Sequence, residues 1–355
     1  MGLAPPLPIS PARPSIEIDG SRDATLTSSL MSMSIVESSA GLAHCELVLG
    51  NWGGPDHAGF QHFDRRTLDF GKRLGIALGD GRLFDGRLSA IGGVFPEGGP
   101  PQVKVSAEDR LQDLRMTRRT RSFAQATLAD VLRQLASDHG LTPNLTLSGP
   151  RYPVLAQVNQ SDLAFARDIA RREDVQVWVD GTDLHALPRP QRRDASVSLA
   201  WAGSLREFSV AADLAHQRTG LAACGWDASA KRATRFVAEE AAVSAELAGK
   251  PGGAATLQAA FGARVDTLAH GVPTDDAQAQ ALAETSFRYL ARRFVVGRGV
   301  AQTQLALRVG AKVTIGGVGP LFEGDYTVTD THIRFDQKLG LRTEFWCDRA
   351  AIGTP

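Results

Sequence analysis

The sequence has 355 residues, 43% of them hydrophobic and 22% charged, with Lys plus Arg equal to Asp plus Glu at 39 each. Such a chain has room for two or three globular domains, and its zero formal net charge argues against recruitment by nucleic acid or acidic lipid. The cysteines Cys45, Cys224 and Cys347 form no paired motif, so we expect free thiols in a reducing compartment. No apolar run approaches the roughly 20 residues of a membrane span, and the N-terminal residues lack the basic and apolar regions of a secretory signal. We expect a soluble protein made in the cytoplasm, without a membrane anchor.

The first part of the chain is a proline-rich arm followed by strands. Five prolines within residues 1–14 predict an extended arm. From residue 15 to about 120, short runs such as "SIEID" and "MSMSIV" alternate apolar with polar residues, and Gly-rich turns such as "GDG" at 79–81 separate them. This alternation predicts an antiparallel barrel or sandwich over residues 15–120.

Residues 121–192 change to a helical period. "TLADVLRQLASDHG" has Thr127 as N-cap, and "SDLAFARDIARRED" has Ser161 in the same role; each carries one apolar stripe. "VQVWVDGTDLHAL" then predicts a hairpin around Asp180 and Gly181. We interpret residues 121–192 as a small α/β insert module.

The alternation resumes in the last part of the chain. A second β domain is predicted for residues 193–237 and 300–355, with an insertion over residues 238–299. The insertion contains one long helix from Thr274, because Ala283, Phe287, Leu290 and Phe294 recur at alternating four- and three-residue spacing. The fold class is therefore mainly β (α+β), with an α/β insert and a helical insertion.

Three short motifs occur twice, in the same order. They are "SLMSMSIV" (29–36) and "SLREFSVA" (204–211), "GLAHC" (41–45) and "GLAAC" (220–224), and "GRLFDG" (81–86) and "GPLFEG" (319–324). Such self-similarity at long period predicts a duplicated domain. We expect the repeated hexapeptide to form one hairpin twice, with Gly86 and Gly324 giving backbone freedom and Phe84 and Phe322 entering the two cores.

The sequence offers no catalytic, cofactor or metal motif. His57 and His62 lie near Asp56 and Asp64, but their spacing fits no standard metal signature. Asp162 and Asp168 share a helix with several arginines, which favours a solvated face over the carboxylate pair of a glycosidase. We expect no enzyme.

One arginine-rich run, "RMTRRTRS" at 115–122, stands out among the charged segments. It contains Arg118, Arg119 and Arg121, without interleaved aromatic residues. Since nucleic-acid binding favours such aromatics and a net positive charge, we interpret the run as a solvated junction or a protein contact.

Three stretches together resemble the phage late control protein D family, the tail hub proteins of contractile phages that also form the N-terminal portion of VgrG spike proteins. They are "NQSDLAFARDIARREDVQVWVDGTDLHAL" (159–187), "GSLREFSVAADLAHQRTGLAACGWD" (203–227) and "LRVGAKVTIGGVGPLFEGDYTVTDTHIRFD" (307–336). The resemblance implies two tube-like β-barrels per chain in a homotrimer, giving a pseudo-hexameric ring between a hexameric inner tube and a trimeric spike. It also implies other baseplate partners, and a place in a phage tail or a released contractile injection particle.

The resemblance has one departure with a consequence for the partners. VgrG-type chains continue into a spike β-helix, whereas this sequence stops at Pro355, so we expect the spike to be a separate protein. Phe345, Trp346 and Arg349 are then candidates for the spike-facing contact.

Two alternatives remain open. One is a tail-tip cell-wall hydrolase, which needs a carboxylate pair or a Cys/His set in a cleft. The other is a carbohydrate-binding β module, which needs exposed aromatic side chains. The five tryptophans (Trp52, Trp178, Trp201, Trp226 and Trp346) lie mostly in strand-like contexts, and we expect them to be buried.

Overall fold

The computed structural model describes residues 13–39, 41–53, 59–192 and 195–354, so almost all of the proline-rich arm expected over residues 1–14 lies outside the described residues. Within those ranges the strands form one 13-stranded sheet and four small sheets. Most of their pairings are antiparallel. The mainly β fold predicted from the alternation is confirmed.

The N-terminal elements build the first half of the large sheet. They are β1 (Ser15–Ile18), β2 (Ser21–Arg22), α1 (Ala24–Ser29), β3 (Leu30–Ser38), β4 (His44–Gly50), β5 (Trp52–Gly53), β6 (Gly59–Phe60), β7 (Arg73–Leu78), β8 (Gly81–Val94) and β9 (Gln102–Glu108). Six of them pair in the spatial order β1-β7-β8-β9-β4-β3, which we call the first ladder. In β4 the apolar residues Cys45, Leu47 and Leu49 are fully buried and alternate with half-buried neighbours, as a half-buried strand requires.

A compact α/β module follows. Its elements are α2 (Leu111–Met116), β10 (Arg118–Ala126), α3 (Leu128–Asp138), β11 (Thr142–Leu145), β12 (Tyr152–Ser161), α4 (Asp162–Arg172), β13 (Val175–Asp180), β14 (Asp183–Pro188) and a 3₁₀ helix (Arg189–Gln191). Thr127 and Asp130 form a capping box at the start of α3, and the Ser161 hydroxyl caps α4. Leu111 and Leu114 of α2 belong to the core of this module. The first ladder thus ends at Glu108, some ten residues before the expected boundary at 120.

The rest of the chain contains the second half of the large sheet and an insertion. The elements are β15 (Ser196–Ala200), β16 (Leu205–Ala212), β17 (Gly220–Asp227), β18 (Arg232–Ala238), a 3₁₀ helix (Glu240–Val243), α5 (Ser244–Leu247), α6 (Gly253–Phe261), β19 (Val265–Thr267), α7 (Asp276–Arg292), β20 (Val295–Gln302), β21 (Lys312–Gly316), β22 (Gly324–Asp336) and β23 (Gly340–Arg349). Six of these strands pair in the order β15-β21-β22-β23-β20-β16, the second ladder.

The insertion starts earlier than expected. Strands β17, β18 and β19 form their own three-stranded sheet, and α7 packs on it through Ala283 and Phe287. Residues 220–237, expected in the second β domain, therefore lie with the insertion, and β20 begins at Val295 rather than at 300. In β17 the run from Gly220 to Ala223 is buried on both faces, and alternation cannot assign such a run to one sheet or another.

The two ladders share their connectivity. Numbered in chain order within its ladder, each set of six strands has the spatial order 1-4-5-6-3-2. One pairing differs, since β1 runs antiparallel to β7 whereas β15 runs parallel to β21. Among the described residues, strand pairing does not close either ladder into a barrel.

The ladders also share two β-bulges. In β3, Leu30 pairs with Leu49 and Ser32 with the adjacent Val48, which leaves Met31 as the extra residue. In β16, Leu205 pairs with Ala301 and Glu207 with the adjacent Val300, which leaves Arg206. Both bulges follow the Ser-Leu pair that opens the repeated motifs at 29–36 and 204–211, so these motifs occupy corresponding strands.

The second shared bulge lies between the two strands that come last in chain order in each ladder, β8 and β9 in the first and β22 and β23 in the second. Ser89 is the extra residue in β8 and Thr329 is the extra residue in β22. The Ser89 hydroxyl donates to the carbonyl of Ser106, and the Thr329 hydroxyl donates to the carbonyl of Trp346, each at 3.3 Å. Beyond this bulge the two hairpins, β8–β9 and β22–β23, have matching pairs at a constant spacing of 240 residues.

The repeated hexapeptide lies in corresponding hairpins, β7–β8 and β21–β22, but not at corresponding positions. Leu74 and Val313 are each the second residue of their strand. Gly86 lies opposite Leu74, but the residue opposite Val313 is Tyr326, two residues after Gly324. The first copy is part of strand β8 and follows a turn at 79–80, whereas the second copy forms much of the connection between β21 and β22. The expectation of one hairpin built twice from the hexapeptide is therefore wrong, and "GLAAC" in β17 lies outside the second ladder.

The glycines and phenylalanines of the hexapeptide also differ between the copies. Gly324 has a φ of 118°, as expected of a residue that supplies backbone freedom, but Gly86 is not among the residues with positive φ. Gly86 is required for close approach, since a Cβ there would lie 2.4 Å from the carbonyl oxygen of Glu108. Phe84 is buried in the first core, and Phe322 is half-buried against the second.

The ladders join edge to edge within the chain. The second part of β22 pairs antiparallel with β3 over seven residue pairs, from Asp330 opposite Ser38 to Asp336 opposite Ser32. Ile333 and Phe335 of β22 thereby enter the core of the first ladder. This junction determines which sheet edges remain for other partners.

Candidate interaction surfaces

The described residues contain no group of three or more His, Cys, Asp or Glu side chains placed to hold a metal ion. His57 and Asp56 lie outside the described residues. His62 is buried, its Nε2 lies 3.2 Å from the Ser29 hydroxyl, and burial lowers the pKa of its imidazole. These contacts give His62 a structural role at the end of the first ladder.

Asp162 is buried, contrary to the expected solvated face. Its carboxylate accepts hydrogen bonds from Arg121 Nη2 at 2.9 Å and Gln157 Nε2 at 2.8 Å, and His139 Nε2 lies 2.8 Å away. Asp168, by contrast, accepts one bond from Gln160. Asp162 therefore connects α4 to β10, β12 and the end of α3. The positive charges of the neighbouring arginines offset the cost of burying its carboxylate.

The arginine run forms strand β10 rather than a junction. Arg119 Nη1 and Arg121 Nη1 lie 3.0 and 2.7 Å from Asp138 Oδ2, so both side chains are engaged inside the module. Arg118 is exposed and donates to the carbonyl of Asn159 at 3.1 Å. Of the three expected contact residues in this run, Arg118 is the one presented to solvent.

The three expected spike-facing residues all lie in β23 and differ in their exposure. Phe345 is fully buried in the second core, so the expectation that it contacts a partner is wrong. Trp346, its neighbour on the opposite face, is 36% exposed, and the Arg298 guanidinium lies 5.5 Å from its ring centroid. Arg349 is half-buried with its guanidinium 4.4 Å from the Tyr326 ring centroid, and burial lowers its pKa.

The tryptophans are more exposed than expected. Trp52, Trp201 and Trp226 are each half-exposed or more, and Trp178 is the half-buried one, stacked under Arg192 at 4.0 Å. The expectation that they are buried is wrong for most of them, because strand-like context does not say which face of the strand is covered.

Trp52 belongs to an exposed aromatic cluster that the sequence did not reveal. Phe60 lies 5.4 Å from Trp52 and 5.3 Å from Phe63 between ring centroids, and Phe95 lies 6.1 Å from Phe63. Phe95 is 64% exposed and Phe60 is 56% exposed. The residues come from β5, β6, the following loop and the residue after β8, so no sequence window shows them together. Contiguous exposed apolar surface of this kind marks contact sites.

Among the open backbone edges in the described part of the chain are two in the ladders. Strand β16 pairs with β20 on one side and ends the second ladder on the other. Residues 90–94 of β8 pair with β9 but extend past β7 on the other side. Such edges are templates for pairing with another strand.

The insertion is attached through buried ion pairs. Arg292 at the end of α7 is 3% exposed and contacts Asp174 of the module at 2.6 Å and Glu246 of α5 at 2.7 Å. Arg189 contacts Asp348 of β23 at 2.6 Å, and burial raises the pKa of that carboxyl. These pairs fix the module, the insertion and the second ladder to one another. No helix of the described ranges is long and apolar enough to cross a membrane.

Comparison with known proteins gives a family and a fold. The family described as "Alg8 N-terminal domain" matches residues 11–336. No curated protein matches the sequence. A 43 kDa tail protein of prophage MuSo2 from Shewanella oneidensis superposes with a TM-score of 0.71 at 10% identity, over 95% of this chain and 98% of that one.

Two further solved structures have the same fold. A tail protein from Neisseria meningitidis gives a TM-score of 0.69 at 10% identity, over 95% of this chain and 96% of that one. An Escherichia coli component of the type VI secretion system, described as similar to the T4 tail proteins gp27 and gp5, gives 0.60 at 10% identity, over 95% of this chain and 77% of that one.

Proposed function

Since the chain belongs to the Alg8 N-terminal domain family and has the fold of these tail proteins, we propose that it is a structural hub protein of a contractile tail or injection particle. The proposal is non-enzymatic and places the chain in the late control protein D and VgrG type of hub. The protein would be assembled in the cytoplasm and become part of a phage tail or a released particle.

The observation that carries this proposal is the correspondence between the two ladders. They share strand order, two bulges, and one hydroxyl-to-carbonyl hydrogen bond. We propose that they are duplicated tube-like domains, residues 15–108 and residues 196–212 with 295–349. Residues 111–192 form the insert module between them, and residues 220–292 form the insertion in the second.

A duplicated chain suits a symmetry adaptor. Three copies contain six corresponding ladders, so a homotrimer presents near-sixfold symmetry to a hexameric inner tube and true threefold symmetry to a trimeric spike. The spike would be a separate protein, with Trp346 and Arg349 among its contacts and Arg118 available to other baseplate proteins. The edge-to-edge junction of β3 with β22 shows how two such ladders fit side by side.

The exposed aromatic side chains favour a second candidate function, that of a carbohydrate-binding β module. Trp52, Phe60 and Phe95 present ring faces and edges of the kind that stack on sugars. Retention of the purified chain on peptidoglycan or surface polysaccharide, lost in a Trp52→Ala variant, would favour that function.

Immunogold labelling tests whether the chain lies in the particle where a hub must lie. An epitope placed after Thr354 in producing cells should direct gold to one end of the particle, at the junction of tube and spike. Gold along the sheath, or absence of the chain from purified particles, would overturn the proposed function.

A further inference from the structure

The junction between β3 and β22 supplies a template for a contact between chains. It joins the first ladder to the second, and each of its two strands has a counterpart in the other ladder. Strand β16 corresponds to β3, and residues 90–94 correspond to residues 330–334 at a spacing of 240. Both counterparts are the open edges described above, so each half of the junction is present a second time without its partner.

The correspondence gives the register of the missing contact. In the chain, Asp330 lies opposite Ser38 and Arg334 opposite Ser34. The bulge after Leu30 and Leu205 makes Ser34 correspond to Ser209 and Ser38 to Asp213. The counterparts of those two pairs are therefore Ala90 opposite Asp213 and Val94 opposite Ser209.

We propose that residues 90–94 of one chain pair antiparallel with residues 209–213 of a second copy, in the register that puts Val94 opposite Ser209. The proposal rests on the proposed trimer and names the surface that closes it. The edge at residues 90–94, here called the donor edge, lies in the first ladder, and the edge of β16 lies in the second. The contact is therefore head-to-tail, and three repeats of it close a ring.

Exposure of the apolar side chains supports the same partner. Phe95 directly follows β8, and the 240-residue spacing continues from it to Phe335. Phe335 is 5% exposed in the core of the first ladder, whereas Phe95 is 64% exposed. On the other edge, Met33 and Ile35 are buried, whereas their counterparts Phe208 and Val210 are half-buried. A second chain in the proposed register would cover these three residues together.

The donor edge differs from its counterpart in one respect. Gly93 stands where β22 has Ile333, so it brings no side chain to the contact. A Cβ at Gly93 would lie 2.9 Å from the Phe95 ring and 3.1 Å from the Phe63 ring. The aromatic cluster thus fills the place of the isoleucine, which accounts for exposed phenylalanines at this end of the first ladder.

Disulfide trapping tests the register. In a Cys224→Ser background, which removes the exposed native thiol, Val94→Cys and Ser209→Cys place one cysteine on each edge. Directly opposed residues have Cα separations of about 4.5–5.5 Å, within disulfide range, whereas diagonal neighbours lie about 7–8 Å apart. Oxidised particles, and the purified chain at high concentration, should therefore yield covalent dimers and trimers. The matched control, Val94→Cys with Ala211→Cys, should yield at least fivefold less.

The outcomes separate the contact from the trimer. Particles that hold three copies but trap the control pair as well as the in-register pair, or trap neither, would overturn the proposed edge and leave the trimer standing. Absence of any assembly containing three copies would overturn the proposed function itself.

A charge substitution provides a second test that needs no cysteine. Phe95→Asp should lower the amount of chain incorporated into assembled particles at least tenfold, because the carboxylate would be buried against Phe208 and Val210. Phe261→Asp replaces a phenylalanine of equal exposure, 63%, on the insertion and should incorporate normally. Both variants should unfold at the same denaturant concentration as the unmodified chain. Normal incorporation of Phe95→Asp would contradict the proposal.

Discussion

Ser89 and Thr329 make the same hydrogen bond in two places 240 residues apart. Each hydroxyl donates at 3.3 Å to a carbonyl across a β-bulge, Ser89 to Ser106 and Thr329 to Trp346. Bulges are local features that need not recur at the same step of two ladders. Their shared position, with the shared strand order, relates the two halves more closely than any of the repeated motifs.

Removing the Arg292 side chain should destabilise the protein strongly. Asp174 and Glu246 would both lose a buried partner, and breaking a buried pair typically costs about 3–5 kcal/mol. We expect urea unfolding of Arg292→Ala to show a loss of this size. Arg293→Ala removes the exposed neighbouring arginine and should change the free energy of unfolding by less than about 1 kcal/mol. Equal losses for the two variants would contradict the role of Arg292.

Adding a methyl group at Gly86 should also be costly. The Cβ would lie 2.4 Å from the Glu108 carbonyl oxygen, so strands β8 and β9 must move apart. Overpacking of this kind costs roughly 1–3 kcal/mol. Gly59→Ala is the matched control, because nothing lies within 4 Å of a Cβ at Gly59. The check is the denaturation midpoint, and a Gly86→Ala variant as stable as Gly59→Ala would show that the approach is not tight.

Glu173 should make stability fall as pH rises toward neutrality. Burial raises the pKa of its carboxyl to about 7, although the Tyr152 hydroxyl donates to it at 3.1 Å. The folded protein then binds more protons than the unfolded chain between about pH 4.5 and 7, so ionisation of Glu173 opposes folding above that range. Glu173→Gln should therefore become more stable relative to the unmodified chain as the pH rises from 5 to 8. Glu97→Gln, at an exposed position, should show no such trend; a flat difference for Glu173→Gln would refute the prediction.

The purified chain should not turn over peptidoglycan. The prediction follows from the sequence, where no nucleophile or acid/base motif occurs. Release of soluble muropeptides from purified sacculi is the measurement. Activity of the chain alone, abolished by one Asp or Glu substitution, would make the cell-wall hydrolase the better account.

Much of the fold follows from period and capping alone. Strand β4 and helices α3 and α4 are readable because alternation, Thr127 and Ser161 mark them locally. The position of β17 is not readable, since its first half is buried on both faces and carries no sign of which sheet the strand joins. The hexapeptide register is also beyond the sequence, because the turns after β7 and β21 differ in length.

The candidate surfaces were less accessible to sequence reasoning. Burial of Phe345 and exposure of Trp346 depend on which face of β23 meets the core, and exposure of Phe95 depends on where β8 outruns β7. Burial of Asp162 at the start of α4 depends on arginines of strand β10. Each of these is a tertiary contact between distant segments, which local pattern cannot supply.

The number of copies in the intact particle tests the central claim most directly. A cryo-electron microscopy reconstruction of the tube–spike junction, refined without imposed symmetry, would show both copy number and neighbours. The symmetry-adaptor account predicts three copies in a ring, each contacting tube on one side and spike on the other. Six copies, or a position on the sheath, would contradict it.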